Sequence, residues 1–66
     1  MKTYDVYFND SIASNNKGFE MTLEDAKAYI NSNNGTNNSY FAVYKGGIVS
    51  VVCNQDGETV HEEEVK

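Results

Sequence analysis

Apolar and polar positions alternate with a strand's period at the start of this chain. They recur with a helix's period in its middle. From Lys2 to Asn9, the side chains of Tyr4, Val6 and Phe8 fall on one side, and Thr3, Asp5, Tyr7 and Asn9 on the other, as in a half-buried strand. The turn formers Asn9-Asp10 end it. Residues 10–18 are polar, and Asn15-Asn16-Lys17-Gly18 has the composition of a loop tip. Ile12, Phe19 and Met21 leave open whether residues 11–21 add a short strand. Thr22 then offers a helix N-cap, Glu24 and Asp25 place negative charge in the first turn, and Met21 is spaced to pack on Ala26. Leu23, Ala26 and Ile30, with Tyr29 beside them, form one stripe of a helix from Leu23 to about Asn33. Gly35 is the natural residue just past its end.

Residues 40–53 are apolar at nearly every position and predict a hairpin turning at Gly46-Gly47. Two-residue pairing sets Tyr44 opposite Val49, Ala42 opposite Val51 and Tyr40 opposite Cys53. Phe41, Val43, Ile48 and Val52 share the other face. Asn54-Gln55-Asp56-Gly57 resembles a type I turn with a glycine bulge, and a last strand follows from about Glu58 to Val65. A three-residue loop lines Val60 up with Val52 and sends His61 and Glu63 to the tyrosine face. A loop one residue shorter or longer flips that strand. The first register gathers the aliphatic side chains.

These elements predict an α+β fold: a single β-α-β-β-β domain over residues 1–66, with one helix on one face of a mostly antiparallel sheet of three or four strands. The expected core is Tyr4, Val6, Phe8, Leu23, Ala26, Ile30, Phe41, Val43, Ile48, Val52 and Val60. One helix covers one face, so the strands leave an apolar face open, and an open apolar face marks a contact surface. Tyrosine tolerates a wet side better than aliphatics do. The expected contact face is therefore Tyr7, Tyr40, Ala42, Tyr44, Val49, Val51 and Cys53. Core packing is the competing role for these aromatics.

Charge narrows the class of partner. Ten acidic residues against five basic give a formal charge of −5, and the chain has no arginine. Contacts to DNA, RNA or an anionic membrane need Lys and Arg, so direct binding to any of them is not expected. That also weighs against reading the tyrosines as an RNA-stacking platform. Glu62 and Glu63 of the run Glu62-Glu63-Glu64 are candidate contacts for a basic protein surface. Charged residues on an edge strand also protect it from aggregation. A domain this small buries about 60% of its unfolded surface, and a partner or a second copy is a common source of added stability.

No catalytic constellation, metal cluster or cofactor motif stands out, and the chain is read as non-enzymatic. Cys53 and His61 fall near each other across the last turn, but no orienting group or further ligand accompanies them. Gly46-Gly47 lacks the helix and lysine of a phosphate loop. Met1-Lys2 is followed by polar residues rather than an apolar leader, no segment is long enough to span a membrane, and the free cysteine fits a reducing compartment. A cytoplasmic location is expected. The sequons at Asn9-Asp10-Ser11, Asn34-Gly35-Thr36 and Asn37-Asn38-Ser39 then follow from the high asparagine content.

The Asn-rich stretch Asn15-Asn16-Lys17-Gly18, the segment Thr22-Leu23-Glu24-Asp25-Ala26-Lys27 and the closing Tyr44-Lys45-Gly46-Gly47 give the chain the look of a particular group. It resembles small proteins carried by phages and mobile elements of low-GC Gram-positive bacteria, a group that includes anti-CRISPR-type inhibitors. The resemblance implies an inhibitor that acts sterically by occupying a basic surface of a host protein. It assigns no site residues. The alternative is a self-associating, homodimeric structural or regulatory domain with no foreign target.

Overall fold

The computed structural model describes residues 2–10, 14–16, 19–37 and 39–66. The strands are β1 (Tyr4–Asn9), β2 (Ser14–Asn16), β3 (Ile48–Cys53) and β4 (Thr59–Glu64); the helices are α1 (Leu23–Asn33) and α2 (Ser39–Val43). The strands form one antiparallel sheet in the order β2-β1-β3-β4, with α1 packed on one face. The α+β class and the helix on one face of an antiparallel sheet stand as expected. β2 supplies the short extra strand that the sequence left open. Asn15 and Asn16, expected at a loop tip, belong to it. Ile12, Lys17, Gly18 and the sequon residues Ser11 and Asn38 lie outside the described residues. No helix among the described residues is long and apolar enough to cross a membrane.

The helix α1 keeps its expected bounds. The Thr22 hydroxyl accepts the N–H of Asp25 at 3.1 Å, which satisfies one of the donors that a helix start leaves unpaired. At the other end the N–H of Asn34 still reaches the Ile30 carbonyl, and Gly35 adopts φ +89°, the left-handed conformation that ends many helices. Ala26 and Ile30 are fully buried, and Leu23 and Tyr29 pack beside them.

The predicted hairpin is where the structure departs from the sequence reading. Residues 39–43 form a helical turn, not a strand. In the sheet, β3 has β1 on one side and β4 on the other, so no edge of β3 remains for a strand at 40–45. A helical turn instead places Phe41 and Tyr44 together on the core. Phe8 receives Phe41 edge-on at 5.0 Å and stacks on Tyr44 at 5.5 Å between ring centroids. Tyr29 extends the cluster to Phe41 at 5.8 Å. Gly46-Gly47 still turns the chain, but from α2 into β3. The Gly47 N–H returns to the Tyr44 carbonyl, and Gly46 takes φ +89°.

β1 buries the face expected of it, β3 buries the opposite face from the one expected, and the grouping by face at 40–44 does not hold because residues 39–43 are helical. The ladder sets Val6 opposite Val51, Phe8 opposite Val49 and Tyr4 opposite Cys53. Val49 and Val51 in turn pair with Glu63 and His61. The wholly apolar side of β1 therefore selects Val49, Val51 and Cys53 for burial; all three are buried, and Val49 and Val51 join Ala26, Ile30 and Phe41 in the core cluster. Ile48 and Val60, expected inside, are 39% and 40% exposed; Val52 is half-buried; Val43 is 71% exposed on α2. The tyrosine argument failed because Tyr40 and Tyr44 are not on a strand. Ser50, set between Ile48 and Val52, is the polar residue of that face of β3, and it is itself only 5% exposed.

Candidate interaction surface

The face turned away from α1 is built from three long strands. Alternation and register place Asn9, Ile48 and Glu64 in one row, and Tyr7, Ser50 and Glu62 in the next. Asp5 and Val52 begin a third row, which ends at a bulge where Val52 pairs with Thr59 and Val60 is the extra residue. Ile48 and Val60 are thus exposed apolar residues on this face, Val52 is half-buried and Ser50 is buried between Ile48 and Val52, with Glu62 and Glu64 along the β4 side. The strands β1, β3 and β4 contain no lysine.

One corner of this face is closed by hydrogen bonding. The Asp5 carboxylate accepts the Glu20 N–H and the Asn54 side-chain amide through the same oxygen, both at 3.0 Å. These bonds account for an acidic side chain that is nearly buried. They also hold Glu20 at φ 49°, an uncommon conformation for a residue with a side chain. Asp5 is therefore a clasp that ties the segments at Glu20 and Asn54 together at one end of the sheet.

The expected contact residues are scattered. Tyr7 and Glu62 lie on the open face, in one row. Tyr40 is partly exposed on α2, with its ring 5.9 Å from Phe8. Tyr44, Val49 and Val51 are core residues and are unavailable to a partner: Tyr44 is 6% exposed and the two valines are sealed. Glu63 is on the helix side. It accepts hydrogen bonds from His61 Nε2 at 2.8 Å and from the Asn34 amide at 2.9 Å, and the first of these, then the second, holds its carboxyl below the ordinary carboxylate range. Ile48 and Val60, expected in the core, are the surface residues that the sequence did not reveal.

Cys53 is buried with its sulfur 3.8 Å from Gln55 Oε1, while His61 engages Glu63, so the two do not form a pair. Among the described residues, no group of three or more His, Cys, Asp or Glu is placed to hold a metal. No family model, curated protein or solved structure matches the chain.

Proposed function

We propose that the chain is an acidic, non-catalytic protein-binding module that docks the open face of its sheet on a basic surface of another protein. It would act as phage-type anti-defence inhibitors do, by occupying that surface. The observation that carries this reading is the exposure of Ile48 and Val60 on one face, with half-buried Val52 there too and Glu62 and Glu64 beside them. Apolar contact supplies affinity and the glutamates select for positive charge. The net charge of −5 without arginine makes nucleic acid an unfavourable partner for the module itself.

A second copy of the chain is the competing occupant. Two copies stacked on this face would confront glutamates with glutamates, and the strands bring no lysine to offset them. Sedimentation over a wide concentration range separates the two. A monomer is expected, with Ile48→Asp leaving the melting curve nearly unchanged. A dimer that Ile48→Asp dissociates would establish self-association and overturn the foreign-partner reading. The inhibitor role is tested by expressing the chain in a bacterium whose defence system restricts a phage. Plaque formation should recover with the parent chain and be lost with Ile48→Asp or with Glu62→Lys/Glu64→Lys. Continued restriction by a folded, expressed parent chain would remove the inhibitor role for that system.

A further inference from the structure

The sheet ends in β2 on one side and in β4 on the other. The outer side of β1 is occupied by β2, and beyond it by Met21, which exchanges two backbone hydrogen bonds with Tyr4 at 2.7 and 2.8 Å. β4 is the last strand on the other side. Val65 gives its N–H to Gly47 and accepts that of Gly46, both at 2.9 Å. Bonding to the inner neighbour alternates along an antiparallel pair, so the main-chain groups of Glu62 and Glu64 point outward, away from β3.

At its far end this edge already has a partner. The Asn34 side chain gives a hydrogen bond to the Glu64 carbonyl at 2.9 Å and accepts the Lys66 N–H at 2.8 Å. A side-chain amide that offers a donor and an acceptor in this way reproduces what one residue of a neighbouring strand would offer. Asn34 therefore occupies the edge at Glu64 and Lys66. The N–H and carbonyl of Glu62 and the N–H of Glu64 lie just ahead of it.

We propose that this edge receives an extended, basic segment of a partner protein as a fifth strand, which runs along β4 and stops at Asn34. The proposal rests on the basic-partner reading above and adds the mode of binding. Main-chain pairing supplies the attachment, and alternate side chains supply the choice of partner. Lysine or arginine at every second position would lie beside Glu62 and Glu64. A second β4 in the same place would set glutamates against one another, which disfavours the chain's own edge as the occupant.

The probe is a short peptide of alternating lysine and valine. Its control is the fully N-methylated peptide, which keeps every charge and lacks main-chain donors. At low salt, the parent peptide should slow amide hydrogen exchange at Glu62 and Glu64 and shift their NMR signals. The control should give no such protection. In Glu62→Pro the protection should be lost while the fold persists, because the N–H removed points away from β3. Binding of both peptides without protection would overturn strand addition and leave the basic-partner reading standing. Failure of both to bind would overturn the two together. Protection that appears without peptide as protein concentration rises would place a second copy on the edge and also overturn the proposal. The charges would then serve neither partner choice nor protection against self-pairing.

Discussion

Val43 and Val51 are the same side chain in opposite surroundings. Val51 is sealed between β1, β4 and the helix, while Val43 projects from α2 into solvent. Val51→Asp buries a charge with no partner and should unfold the protein, since that cost of several kcal/mol rivals the stability of so small a domain. Val43→Asp should shift stability by less than about 0.5 kcal/mol. Thermal melts of the two variants check the assignment of faces, and equal loss in both would refute it. Gly47 is fixed by close approach. A Cβ there would collide with the Asn9 carbonyl oxygen across the start of the sheet. Gly47→Ala should therefore cost about 1–3 kcal/mol in urea denaturation, as overpacking does.

Legibility differs from element to element, and the reason is period. α1 was readable because its cap, its stripe and its terminal glycine all agree, and β1 because its alternation is clean. The segment at 40–44 is apolar at every position except for the tyrosine hydroxyls, so it fits either period equally well. What decided it was non-local: both edges of β3 were already taken. The same error carried the site with it, because a contact face was built on tyrosines that lie off the sheet. Two ends of α1 give a test at this scale. Thr22→Ala removes a cap and should cost about 1 kcal/mol. Asn34→Ala removes hydrogen bonds to Glu63, Glu64 and Lys66 and should cost about 1–2 kcal/mol, although Asn34 itself lies near the surface. Denaturant titration that ranks Thr22→Ala as the more damaging would contradict the role of Asn34 as the link between α1 and β4.

For the whole molecule, acid is the condition that exposes its electrostatics. Glu63 is held below its ordinary value of 4.5 chiefly by the hydrogen bond with His61, and Asp56 below its ordinary 3.8 chiefly by the Glu58 backbone N–H. A carboxylate whose folded value is depressed binds its proton more readily when unfolded. Its contribution is complete above the unfolded value and is lost as pH falls through the folded one. The melting temperature should therefore hold near neutrality and decline as pH drops below about 4.5. Glu63→Gln should soften that decline. A variant with the parent's full acid sensitivity would show that the Glu63 contacts add nothing to stability.

β1 finds its longest partner, β3, far along the chain, with β2, α1 and α2 in between. The sheet's main ladder therefore cannot form until the chain has closed a large loop, and local structure is rewarded late. Folding should be all-or-none, with no intermediate populated before β1 and β3 pair. A chain cut at Gly35 divides into a piece carrying β1, β2 and α1 and a piece carrying α2, β3 and β4. Each piece holds part of the buried core and neither holds the ladder that joins them. Apart, both pieces should be unstructured by circular dichroism. Mixed, they should recover the native spectrum through β1–β3 pairing, which makes the fold a candidate for reconstitution from split halves.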